Sequence, residues 1–86
     1  MFGAGTVIEQ ARLALQLSHL DLWIGYVGMG GSEPPAVVRE FLAGKSEVTP
    51  FDYDMLAQVL NERFAALGAV HPVPYSEWFR SNGVDR

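Results

Sequence analysis

Three times this sequence places a hydroxyl three residues ahead of a carboxylate, just before an apolar periodic stretch: Thr6…Glu9, Ser18…Asp21 and Thr49…Asp52. A hydroxyl there takes up an orphan amide of a helix's first turn, and the acid meets the positive end of the helix dipole. Pro50 reinforces the third start, because a proline at the first helical position gives up no hydrogen bond. Such punctuation limits the chain to short helices. The fold class expected is all-α: a compact bundle of four main helices plus a short C-terminal one.

Helix one is expected over 6–17, with Val7, Ile8, Ala11 and Leu15 near one side and Leu13 and Leu17 on a second. Helix two, over 19–28, is apolar nearly all round, apart from a strip of Asp21, Gly25 and Gly28, and such a helix is usually a central one. Leu13, Leu17, Leu20, Ile24 and Val27 also follow heptad spacing, so a single rod over 6–28 is the alternative; the Ser18…Asp21 box favours two helices. The glycine-rich turn 28–32 leads to a third helix capped by Ser32 or Glu33, with Pro34 and Pro35 in its first turn. Gly44 suits a left-handed cap at its end. Helix four is expected from Pro50 to Leu67, stopped by Gly68, with Asp54, Gln58, Asn61 and Glu62 on its far, polar side. The prolines of the 71–75 segment forbid regular helix, and Ser76 then caps a last helix over 77–82, ended by Gly83. The core set read from this pattern is Leu20, Trp23, Ile24, Val27, Val38, Phe41, Leu42, Leu56, Leu60, Phe64 and Leu67.

Eighty-six residues, 49% of them apolar, suit one domain over 1–86, with 1–5 and 83–86 expected to be flexible. There is no cysteine, which rules out a disulfide framework or a thiolate metal site and fits a cytoplasmic location. A net charge of −4 with only six scattered basic residues argues against a nucleic-acid backbone as partner. Polar residues from Glu9 to Asp21 break the N-terminal apolar stretch, so neither a membrane span nor a membrane partner is expected.

The candidate sites weigh towards structure. Arg63 falls inside the apolar arc of helix four, which implies either a buried ion pair or anion contact, or a stem covering apolar surface while its head meets loop carbonyls of the 71–75 tail. The turn 28–32 lacks both phosphate-loop patterns and reads as an interhelical turn. His19 and His71 have no accompanying ligands or nucleophile, and Glu47, Asp52 and Asp54 lack calcium-loop spacing and read as a solvated helix start. No catalytic residue, cofactor or metal is therefore assigned, and the chain is not expected to be an enzyme. Tyr75, Trp78 and Phe79 read as anchors of a tail packed on its own core, or, if open, as a partner surface.

The runs Leu22-Trp23-Ile24-Gly25-Tyr26, Gly30-Gly31, Phe41-Leu42-Ala43-Gly44, Asp54-Met55-Leu56-Ala57, Asn61-Glu62-Arg63-Phe64 and His71-Pro72-Val73-Pro74-Tyr75 resemble a family of small helical proteins and modules from actinobacteria. The similarity spans roughly 20–75 and implies a regulatory or interaction module, with no catalytic residue to carry over. Helices one and two also present more apolar sides than so short a bundle covers. A non-enzymatic regulatory or protein-interaction module follows, self-associating as a homodimer through helix one or binding another protein, with Val7, Ala11, Leu15, Tyr75 and Trp78 as the contact residues. The alternative is a DNA-binding regulator using helices three and four as a helix-turn-helix-like pair, with Arg39, Lys45 and Arg63 as its basic residues.

Overall fold

Each of the first four helices ends in the same way, and those endings set the geometry of the bundle. The computed structural model describes residues 3–70 and 72–81. It contains α1 (Gly5–Ala14), α2 (His19–Gly28), α3 (Pro35–Leu42), α4 (Pro50–Ala66) and α5 (Ser76–Ser81). After each of the first four, one residue enters the left-handed region: Gln16, Gly30, Gly44 and Gly68. The next amide then bonds back to a carbonyl five residues earlier: Leu17 to Arg12, Gly31 to Tyr26, Lys45 to Glu40 and Ala69 to Phe64. This is the Schellman arrangement, which satisfies carbonyls that a helix end otherwise leaves orphaned. Three of the four hinge residues are glycine, which adopts this geometry without strain. Gln16, at φ 55°, does not. Gln16→Gly is therefore expected to raise unfolding stability by about 0.5–1 kcal/mol in urea titration; a fall would show that the glutamine side chain itself holds the turn.

Two helices over 6–28 is thus the observed arrangement, and the rod is excluded by the break at 15–18. The Ser18 and Thr49 hydroxyls each accept the amide three residues on, at 3.0 Å. The Thr6 cap does not form. α1 starts earlier, at Gly5, with Ala4 as an N-cap that offers no side-chain bond. A Cβ on Gly5 would sit 1.8 Å from the Phe41 carbonyl oxygen, so helix α1 meets the end of α3 backbone to backbone. That close contact, not a hydroxyl, positions the start, and Gly5 is buried. Likewise α3 is capped by neither Ser32 nor Glu33: its N-cap is Pro34, and the helix begins at Pro35. The expected flexible end 83–86, Gly83, Asn82 and His71 lie outside the described residues.

The central helix is α4, not α2. It packs against α1, α2 and α5, while α3 closes the far side on α1 and α2. Tyr53, Leu56, Ala57 and Leu60 are fully buried on it, and Met55 and Val59 nearly so. Its expected polar side is partly covered as well: Glu62 is exposed and Asp54 and Gln58 are half-buried. Asn61 is fully buried and bonds both ways to the Val73 backbone, donating to the carbonyl at 2.9 Å and accepting the amide at 3.0 Å. The Asp54 carboxylate accepts the amide and hydroxyl of Ser76, and Gln58 accepts the Tyr75 hydroxyl. The proline tail thus strings itself along α4 and seats α5, whose Phe79 meets the Tyr53 ring edge to face, as Phe41 does from α3. Of the expected core set, Val38, Phe41, Leu42, Leu56 and Leu60 are buried and Trp23 and Phe64 half-buried, but Leu20, Ile24, Val27 and Leu67 are exposed. The remaining core comes from Ile8, Leu17, Leu22, Tyr26, Val48, Tyr53, Met55, Ala57, Val59, Val73 and Phe79.

Candidate functional site

Helix α2 is held on its inner side by packing and by one polar knot. Leu22 and Tyr26 are fully buried, and Gly25 lies so close to α4 that a Cβ would fall 2.8 Å from a Val59 methyl. The Tyr26 hydroxyl donates to Asp52 Oδ1 at 2.8 Å and accepts the Glu33 amide at 3.0 Å. Thr49 closes the knot by donating its hydroxyl to Asp52 Oδ2. Burial, and then the Asp52 carboxylate, push the Tyr26 phenol above its ordinary pKa, so it stays a donor. The Trp23 indole donates to the Glu33 carbonyl, fixing the turn into α3 from the other side. Asp52, read from sequence as solvated, is buried here, and Asp54 is committed to Ser76.

With its inner side occupied, α2 turns a second apolar face outward. Leu20, Ile24 and Val27 sit one and two turns apart, at 60%, 54% and 40% exposure. The Cα radius of gyration is 11.9 Å, and a well-packed chain of this length has about 12 Å. The exposure is therefore not a sign of a loose bundle; the inner side of α2 has taken all the room the core offers. One flank of this stripe leads into a shallow groove of about 110 Å³ between α2 and α3, lined by His19, Leu20, Trp23, Pro35, Val38 and Arg39. On the other flank lie Asp21, which is exposed, and Gly28, beside which there is open space.

Below the groove, Arg12 takes the part that sequence reading gave to Arg63. It is nearly buried, grips the Glu9 carboxylate through Nε and Nη2, and donates Nη1 to the Leu17 carbonyl at 2.7 Å. That carbonyl belongs to the turn between α1 and α2, so the arginine helps fix where α2 begins. Arg63 is exposed, which removes the buried-pair reading for it, and the tail backbone it was to meet is held by Asn61. The Arg12 hydrogen bond holds Glu9 below its ordinary pKa, while burial, followed by the charge of Arg12, lowers His19. Both groups bind protons less readily in the folded state. Their stabilisation is complete above the unfolded-state values and disappears as pH falls through the lowered folded ones. Acidification from neutral pH is expected to lower the denaturation midpoint, with a smaller fall in His19→Gln; an unchanged acid limb in that variant would take His19 out of the account.

The expected contact residues are not gathered on one open surface. Val7, Ala11, Leu15 and Tyr75 are half-buried against the core, and only Trp78 stands largely exposed, its ring edge to face with Phe79. The surplus apolar surface foreseen for α1 and α2 is present, but it lies on the outer face of α2, with Leu13 alone exposed on α1 among its large apolar residues. The signal was in the sequence, in the 4, 3 spacing of Leu20, Ile24 and Val27, though it read as core. Among the described residues no three His, Asp or Glu side chains converge as a metal site would require, and no helix is long and apolar enough to cross a membrane. Compared with protein-family models, curated proteins and solved structures, the chain has no match.

Proposed function

We propose that this protein is a non-enzymatic protein-interaction module whose outer α2 face receives an apolar helix, in the first instance that of a second copy. The observation that carries this reading is the exposed Leu20–Ile24–Val27 stripe on a helix whose inner face is already fully used. Leu13, Phe51, Leu67, Val70 and Trp78 are exposed as well, but Leu20, Ile24 and Val27 line up on one face of one helix, and contiguous exposed aliphatic residues mark a surface that another chain covers. Near it the helix contributes only Asp21 and His19 as charged or titratable groups, so a chain of net charge −4 meets its twin there with little repulsion. Helix α1 is the weaker choice, because Val7, Ala11 and Leu15 already spend their surface on the core.

The DNA-binding alternative draws little support from α4. A recognition helix offers its first turns to base edges, whereas Asp52, Tyr53, Met55 and Leu56 in those turns are buried.

Sedimentation across a wide concentration range tests the proposal. A reversible dimer is expected, and Ile24→Glu is expected to weaken it by about 2 kcal/mol, some thirtyfold in Kd, with helix content unchanged. A monomer at every concentration overturns the self-association.

A further inference from the structure

The two flanks of the outer α2 stripe carry opposite charge. On the side where α3 packs, His19 and Arg39 line the groove. On the opposite side stands Asp21, followed two turns later by Gly28 and open space. Neither the Asp21 carboxylate nor the Arg39 guanidinium has an ion-pair partner among the described residues, since the salt bridges there join Arg12 and His19 to Glu9 and Arg80 to Glu77. An apolar stripe bounded by unpaired charges of opposite sign is the pattern by which paired helices set their orientation.

Resting on the reading of the outer α2 face as a self-association surface, we infer that two copies pair α2 against α2 in the same direction, so that Asp21 of each copy faces Arg39 and His19 of the other. The argument is one of symmetry. When two identical helices run parallel about a two-fold axis, the left flank of one meets the right flank of the other. Asp21 then lies opposite the basic flank twice over. When they run antiparallel, like flanks meet. Asp21 then lies level with the Gly28 end of the other copy, and neither acid reaches a basic flank. The charges select the parallel arrangement. The Arg39 contact on α3 also widens an interface that a three-residue stripe alone would leave small.

The chain has no cysteine, so single cysteines report orientation directly. Ile24 is near the middle of the stripe and meets its own twin in either orientation; Ile24→Cys is therefore the measure of pairing itself. Leu20→Cys and Val27→Cys distinguish the two orientations, because a disulfide needs Cα atoms within about 7 Å. The expected result under mild oxidation is a covalent dimer from each of the three variants alone. If Ile24→Cys cross-links but Leu20→Cys and Val27→Cys do so only when mixed with each other, the pair is antiparallel and this inference falls while self-association stands. If Ile24→Cys gives no cross-link and the chain sediments as a monomer, both fall. Charge reversal provides an independent check by sedimentation: Asp21→Lys is expected to weaken the dimer at least about fivefold, with recovery when Arg39→Glu is added. No recovery in the double variant overturns the Asp21–Arg39 contact.

Discussion

Asn61→Leu is expected to cost about 3–4 kcal/mol in chemical denaturation, although leucine has the same branched set of four side-chain heavy atoms as asparagine. The side chain is fully buried and, among the described residues, is the bridge by which the Val73 amide and carbonyl reach α4. Leucine fills the space but offers neither bond, leaving two buried backbone groups unsatisfied at roughly 1–3 kcal/mol each. A chain of this size has roughly 4–13 kcal/mol in total, so a large part of the margin rests on one amide. The loss is also local in its consequences. With Val73 released, the tail that presents Tyr75 to Gln58 and Ser76 to Asp54 has no anchor ahead of α5. Amide exchange at Val73 and through α5 should rise together. A cost below about 1 kcal/mol would show that Phe79 against Tyr53 holds the tail without the amide pair.

The residues that were legible in the sequence are those whose role is set by near neighbours. Ser18 and Thr49 cap because the amide they bond is three residues away, and Gly44 and Gly68 end helices because the left-handed turn is a local demand. What sequence periodicity left open was which side of an apolar helix faces inward. For α2 both sides qualify on hydropathy: Leu22 and Tyr26 on one, Leu20, Ile24 and Val27 on the other. The choice falls to Gly25, whose missing side chain lets α2 sink against Val59, and to Tyr26, whose hydroxyl reaches Asp52 across 26 residues of sequence. Neither signal is a matter of pattern. The buried polar face of α4 was hidden for the same reason, since Asp54, Gln58 and Asn61 look like solvent residues until a tail with free backbone groups is laid over them. Arg12 was passed over because its partner carbonyl, Leu17, becomes available only once Gln16 turns left-handed and ends α1 early.

The same reasoning makes Tyr26→Phe the sharper test of why α2 presents its outer face at all. The ring stays and its packing is preserved, so the change removes a single oxygen. That oxygen serves two clients, the Asp52 carboxylate and the Glu33 amide, and both are left short of a partner in a place where water has little access. The expected cost is about 2–3 kcal/mol, within the range for one charged and one neutral buried hydrogen bond. Asp52→Asn in the same background separates the two contributions. If the tyrosine–aspartate bond dominates, the double variant loses less than the sum of the singles, because each removes the same interaction. Exchange at the Glu33 amide gives the structural half of the result: it should accelerate in Tyr26→Phe and stay slow in Asp52→Asn, where the hydroxyl still accepts it. The turn that carries Glu33 also takes the Trp23 indole, so its loosening opens the groove flank of the stripe and should weaken self-association beyond the loss of stability. If Tyr26→Phe costs under about 0.5 kcal/mol and leaves exchange at Glu33 unchanged, then the contact of Gly25 with Val59 and the burial of Leu22 suffice to orient α2.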